Sequence, residues 1–202
     1  FDRIELSYAR QNFDTKAVGA ALGLGQGFKL NQDIFGAKLR ILGDAVYGNP
    51  AIPQISAGAQ YRKNLDAPIA AFVGAAEDED FDLYISATKL VLAHSLLLNG
   101  TARLTRANQF GLLGFGGDKQ QDRTLEFEGS VGYQLSRSFV VGGEYRTKPD
   151  NLSIAKENDA FDIFAAWAID DNFTLTAAYV DLGNIVIEDK QRGAFLSLQA
   201  AF

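Results

Sequence analysis

Apolar and polar residues alternate with a period of two along ten segments of this chain, and this pattern constrains its fold most strongly. Successive side chains of a β-strand point to opposite faces, so each segment predicts a strand with one apolar face. Each segment has about the 9 to 11 residues that a tilted strand needs to cross a bilayer. The segments are Arg3–Phe13, Ile34–Leu42, Pro53–Lys63, Phe81–Lys89, Leu96–Arg106, Thr124–Leu135, Phe139–Thr147, Ala160–Ile169, Phe173–Asp181 and Arg192–Phe202.

The connections between these segments are alternately short and long. The short set is 43–52 (its one longer member), 90–95, 136–138 and 168–172, and the long set is 14–29, 64–80, 107–123, 148–159 and 182–191. Outer-membrane barrels combine short periplasmic turns with long extracellular loops. We therefore interpret residues 1–202 as a single domain, an all-β, antiparallel transmembrane up-and-down β-barrel. The alternative is a soluble sheet with one buried face, but such a sheet has no reason to sort its loops.

Aromatic residues are expected at both ends of the apolar faces, as in the belts that anchor a barrel at the two membrane interfaces. One belt comprises Tyr133, Phe139, Trp167, Phe173 and Phe202, and the other comprises Tyr8, Tyr61, Tyr145 and Phe161. The terminal Phe202 also looks like the signal that bacterial barrel-assembly machinery reads. These features predict a bacterial outer-membrane location, with lipid bilayer and lipopolysaccharide as partners. The lipid-facing side chains should include Leu39, Leu98, Val141, Ile163 and Leu196.

Composition argues against several classes of function. A net charge of −6 opposes a general nucleic-acid surface, which needs cations to meet phosphate. The single histidine, His94, cannot make a histidine-rich metal site, and its neighbour Ser95 would point to the opposite face of a strand. The glycine-rich stretches lack the Lys-Ser/Thr that follows a phosphate-binding loop. We therefore expect no enzyme activity, no metal and no cofactor.

Charged residues on the polar faces predict a lumen lined by charge. The expected lumen-lining residues are Lys38, Arg40, Arg62, Arg103, Glu126, Glu128, Glu144, Arg146 and Asp162. Cations of the second and third strands would oppose acids of the sixth to eighth strands and create a transverse field, as charged walls do in channels. The alternative is that these charges form ion pairs that plug a small barrel, and we favour a plugged or very narrow lumen.

The connection 107–123 is unusually apolar for a loop. Its centre contains Phe110, Leu112, Leu113 and Phe115, with glycines that permit sharp reversals. Such a segment is expected to fold inward as a gate, to contact a protein partner, or to pack on itself, and we favour the gate. The strands that flank it carry Arg103 and Glu126, which are expected to pair.

The acidic run Glu77-Asp78-Glu79-Asp80 permits two interpretations. It would bridge divalent cations to lipopolysaccharide phosphates, or it is a solvated loop tip, and charge runs are more often the latter.

Four blocks resemble a family of proteobacterial outer-membrane proteins known only as a domain of unknown function. They are IELSYARQ at Ile4–Gln11, LLNGTARLTRANQFGLLGFGG at Leu97–Gly117, GEYRTKPDNL at Gly143–Leu152 and TAAYVDLG at Thr176–Gly183. In that family two further strands precede the first block. The resemblance therefore implies a twelve-stranded barrel in the complete protein, of which this chain would lack the N-terminal part. It implies no activity and no catalytic residues.

Two functions from different classes remain open. The first is a narrow pore or transporter for small molecules, with its mouth constricted by the apolar, glycine-rich loops. The second is a plugged structural or interaction barrel that anchors an envelope assembly and presents its extracellular loops to a protein partner.

Overall fold

The fold is a single all-β sheet of ten antiparallel strands in which every strand pairs with its neighbours in sequence. It is seen in a computed structural model that describes residues 3–21, 23–47, 49, 51–184 and 190–201. The strands are β1 Ile4–Asp14, β2 Lys29–Leu42, β3 Gln54–Asn64, β4 Glu79–Val91, β5 Leu96–Thr105, β6 Thr124–Ser136, β7 Phe139–Arg146, β8 Ala160–Ala168, β9 Phe173–Asp181 and β10 Arg192–Ala200. This confirms the predicted number, direction and order of the strands.

Short structural elements occupy the connections between strands. The long connections contain helix α1 at Lys16–Ala21, helix α2 at Ala67–Phe72 and a 3₁₀ turn at Asn108–Gly111, and a second 3₁₀ turn lies at Leu92–His94 in a short connection. Neither helix was predicted, since each has only six residues. Among the described residues, no helix is both long enough and apolar enough to cross a membrane.

The sheet is open at its two outermost strands. No pairing joins β1 to β10 within the part of the chain that the structure describes, so the predicted closed barrel is not observed. The sheet is nevertheless strongly curved, because Gln11 of β1 and Phe195 of β10 line the same cavity. The terminal Phe202, with its expected assembly role, lies outside the described residues.

The two faces of the curved sheet have opposite polarity. The convex outer face carries exposed apolar side chains on all ten strands, including Leu6, Leu125, Ile163 and Leu196. The five residues expected to point outward all have outer-face parity, and Ile163 is 62% exposed. The concave inner face carries polar side chains, several of them fully buried. This is the reverse of a water-soluble domain, whose apolar residues are mostly inside.

The long connections pack together at one end of the sheet. We call the described parts of 15–28, 65–78, 106–123, 147–159 and 182–191 the loop cap. Its apolar core contains Val73, Leu112, Leu113 and Leu152, which pack with Leu30 of β2. The cap therefore covers the inner face at the end where β1 finishes and β2 begins.

Candidate functional site

A network of buried charges fills the inner face between β3 and β6. Arg62 Nη1 donates to Asp82 Oδ2 at 2.6 Å, and Asp82 is only 1% exposed. Arg103 Nε donates to Glu128 Oε1 at 2.6 Å. Gln60 joins the two pairs, because its Oε1 accepts from Arg62 at 2.8 Å and from Arg103 at 3.0 Å. The charge network, these five residues, contains two cations and two anions and is therefore electrically balanced.

Arg103 and Glu126 lie directly opposite each other, as predicted, but they do not form the ion pair. The guanidinium of Arg103 reaches diagonally to Glu128. Glu126 instead accepts hydrogen bonds from the hydroxyls of Thr124 and Thr147. A long arginine side chain easily spans the diagonal between strands, so register alone did not identify its partner.

The other predicted lumen cations also have anions close by. Lys38 Nζ lies 3.6 Å from Glu5 on the neighbouring strand β1. Arg40 lies 3.7 Å from Asp44 at the short-connection end of the sheet. With Arg62 paired to Asp82, the cationic side of the inner face is neutralised locally. This arrangement favours the ion-pair alternative over a transverse field.

The apolar segment of the third long connection lies in the interior of the loop cap. Phe115 is fully buried, and Leu112 and Leu113 are nearly so. The side chain of Asn64 donates to the carbonyl of Leu112 at 2.7 Å, which ties the segment to the end of β3. The backbone N–H of Phe115 donates to the backbone carbonyl of Glu77 at 2.9 Å. The structure thus places the segment inward, against the end of β3 and the connection that precedes β4.

Phe110 is held in an unusual backbone conformation within this segment. Gln109 and Phe110 have φ values of 45° and 59°, followed by Gly111 at 94°. Two successive non-glycine residues in the left-handed region are strained, at an order of 1–3 kcal/mol each, and persist only where surrounding contacts impose them.

Lys148 and Glu157 of the fourth long connection supply those contacts. Glu157 Oε1 accepts from the backbone N–H of Gln109 at 2.8 Å. Lys148 Nζ donates to the side-chain oxygen of Gln109 and to the carbonyl of Leu182, and it lies 5.6 Å from the centre of the Phe110 ring. The two side chains are themselves 3.8 Å apart and almost fully buried. We call Lys148 and Glu157 the latch. It was not predicted from the sequence, because loop residues follow no strand periodicity.

Burial changes the titration of the latch. Desolvation raises the pKa of Glu157 to about 8, against an ordinary value of 4.5, even though Lys148 opposes the shift. Desolvation also lowers the pKa of Lys148, and nearby acids including Asp159 oppose that shift. Glu157 is therefore largely protonated near neutral pH, and it holds the segment through its hydrogen bond with Gln109 rather than through a full ion pair with Lys148.

The acidic run is not simply a solvated loop tip. Glu79 and Asp80 begin β4, and Asp80 is buried. Its carboxylate accepts from Arg106 at 2.5 Å and also from Arg123, so it joins both ends of the third long connection. Glu79 pairs with Lys63 at the surface at 2.6 Å.

Phe110 borders three cavities on the inner side of the sheet. The loop cavity, about 130 Å³ within the loop cap, has mostly apolar walls that include Phe13, Leu30 and Val73. The strand cavity, about 550 Å³, lies along the inner face of β7 to β10. A third space of about 20 Å³ separates Phe110 from the charge network. Gln11 and Leu182 also border both of the first two cavities.

The strand cavity contains the remaining predicted lumen residues. Glu144 and Asp162 are direct neighbours on β7 and β8, and Arg146 lies 3.5 Å from Glu144. Along β9 the cavity extends to Thr176, and a further cavity of about 470 Å³ begins at Thr174, two positions along the same face. Cavities therefore follow the β7–β10 side, whereas the β3–β6 side is filled.

Among the described residues, no three histidine, cysteine, aspartate or glutamate side chains are grouped so that they could hold a metal ion.

The charge network should dominate the stability of the β3–β6 side. We expect Asp82→Asn to lower the free energy of unfolding by about 3 kcal/mol, because it leaves the buried Arg62 without its counter-charge. Glu79→Gln is the matched control. It also replaces a carboxylate by an amide on β4, but at an exposed ion pair, so it should change the free energy of unfolding little. Denaturant unfolding of both variants tests this, and equal losses would contradict it.

The latch should make the cap more easily opened as pH rises. Between pH 4.5 and about 8 the folded cap keeps a proton on Glu157 that an opened cap releases. The free energy needed to open the cap is therefore greatest below pH 4.5, and it falls as the pH rises from 4.5 to about 8. Hydrogen exchange of the Gln109 amide, corrected for its intrinsic rate, should show less protection at pH 8 than at pH 5. Glu157→Gln should remove this difference, and its persistence in the variant would contradict the assignment.

Comparison with known proteins gives a family but no activity. No curated protein matches the chain. The family described as Protein of unknown function (DUF3034) matches residues 1–199, which is almost the whole chain. The chain therefore belongs to this family of proteins of unknown function.

Proposed function

We propose that this protein is a bacterial outer-membrane β-barrel that acts as a narrow pore or transporter for small molecules. In this proposal lipid covers the convex face, and the loop cap constricts the extracellular mouth beside lipopolysaccharide. Phe202 would serve the barrel-assembly machinery. The resemblance of the four sequence blocks to proteobacterial outer-membrane proteins supports this location.

The polarity of the two faces supports insertion in a bilayer. A continuous apolar outer face is costly in water but matches the hydrocarbon layer around a transmembrane barrel. Near the cap, Tyr8, Phe35, Tyr61 and Phe81 are direct neighbours across four strands. Near the opposite end, Phe139 and Trp167 are neighbours. Aromatic rows at both ends of an apolar band are typical of the two membrane interfaces.

The run of cavities along the β7–β10 side carries the transport part of the proposal. A solute entering the cap would pass from the loop cavity, around Phe110, into the strand cavity and on towards Thr174. Phe110 stands at the junction of the first two cavities, where a ring can narrow the path. In this proposal the observed arrangement is the closed one, and release of the buried latch would let the strained backbone relax into an open one.

A plugged structural or interaction barrel, serving as an anchor in an envelope assembly, is the second candidate. It is favoured by the charge network, which fills the β3–β6 side, and by the dense packing of the loop cap. A protein partner would then contact the extracellular surface of the cap.

Adjacent alanines on β9 test the membrane face directly. Ala177 lies on the exposed outer face and Ala178 lines the strand cavity. Ala177→Arg should destabilise the protein in phospholipid bilayers by about 2–4 kcal/mol, the usual cost of arginine near the bilayer midplane. Ala178→Arg, at the same depth beside the acids of the strand cavity, should cost clearly less. Reversible unfolding from liposomes measures both, and a reversed order would refute lipid contact at the outer face.

Single-channel conductance in planar bilayers tests the gate. Phe110→Gly removes the ring but retains a residue that tolerates a positive φ, so it should raise conductance or the frequency of opening. Phe72→Ala is the control, because that ring is exposed on α2 and borders none of the three cavities at Phe110. Silence of the native protein and of Phe110→Gly over many insertions would favour the plugged barrel.

A further inference from the structure

The loop cavity has the properties of a binding site for a small apolar molecule. It lies between four of the five long connections and the adjoining ends of β1 and β2. Its volume is about 130 Å³. An engineered cavity of about 150 Å³ in another protein, lined by leucine, isoleucine and phenylalanine, stays dry and binds benzene. The loop cavity therefore fits one six-membered ring but not an acyl chain.

Three polar side chains border the loop cavity, and each already makes a hydrogen bond within the protein. Thr15 Oγ1 donates to the carbonyl of Phe28 at 2.7 Å. The side-chain nitrogen of Gln109 donates to the backbone carbonyl of Asn184 at 2.7 Å, and the side-chain oxygen of Gln109 accepts from Lys148. The side-chain oxygen of Gln11 accepts from Gln32 at 2.6 Å. A polar solute would compete with these bonds, whereas an apolar one leaves them intact.

The remaining wall favours an aromatic occupant. Two phenylalanine rings, Phe13 and Phe110, face the cavity together with aliphatic side chains of Leu30, Val73 and Leu113. Offset or edge-to-face contacts between rings add to the gain from apolar burial. One of the two rings is the proposed gate, so an occupant of the loop cavity contacts the gate directly.

We propose that the loop cavity binds a monocyclic aromatic hydrocarbon, which identifies the class of solute for the proposed pathway. The inference rests on the proposed function only for the route that the solute takes afterwards. Binding at the cavity is a separate property, measurable whether or not the barrel conducts.

Benzene titration of the methyl-labelled protein in lipid nanodiscs tests the proposal. Methyl resonances of Leu30, Val73 and Leu113 should shift and saturate, whereas the outward Leu196 and Leu198 report only partitioning into lipid. Linear, unsaturable shifts that are the same at both groups of methyls would overturn the proposal. Benzene binding is measured here without any conduction. A protein that binds benzene saturably but shows no conductance would therefore refute the proposed transport and leave the proposed binding site intact.

Two variants and a matched control locate the site. Val73→Phe fills the cavity and should weaken benzene binding at least tenfold. Leu113→Ala enlarges it and should admit naphthalene, which the native protein excludes. Leu152→Ala makes the same deletion in the same apolar cluster but away from the cavity wall, so it should retain the native ligand range. If Val73→Phe does not fold, the ligand-size comparison between the two alanine variants decides. An identical ligand range in both would overturn the proposal.

Discussion

A sheet of one layer has two faces and no second sheet to cover either of them, and the rest of this structure follows from that constraint. Domains ordinarily bury an apolar face against another layer. Here the inner face is polar and is covered by the chain's own long connections, which pack Leu113 and Leu152 into a small core at one end. The outer face remains apolar and uncovered. The charged side chains of the inner face therefore pair with one another, between neighbouring strands.

The inner face is filled unevenly, with ion pairs on one side and open space on the other. Between β3 and β6 two long arginines and two acids occupy the space, with Gln60 bridging them. Between β7 and β10 the inward side chains include small ones such as Ala166, Thr176 and Ala178, so space remains. Small side chains along β8 and β9 therefore leave the space that the strand cavity occupies. The same asymmetry explains why the pore and the plugged barrel both have support in one molecule.

Much of the fold was predictable from the sequence, because strand alternation is a local property that each segment carries by itself. The alternation predicted the ten strands, the division of the connections into a short and a long set, and the face of the sheet on which residues such as Ile163 lie. Contacts that depend on the path of a loop were not predictable. The latch between Lys148 and Glu157 forms only after two parts of one connection fold back beside Gln109. The partner of Arg103 was missed because register leaves two acids within reach of a long side chain.

Apolarity predicted that the segment around Phe110 turns inward, but not how its backbone is held. The positive φ values at Gln109 and Phe110 are unfavourable locally, so contacts from elsewhere must compensate them. Those contacts are concentrated in the buried Lys148–Glu157 latch, whose two ionisable groups lie in surroundings that disfavour charge. Backbone strain at Phe110 and a support made of buried ionisable groups thus occur beside a residue that borders two cavities. For the gate that we propose, this combination would make the closed state only modestly preferred, as opening requires.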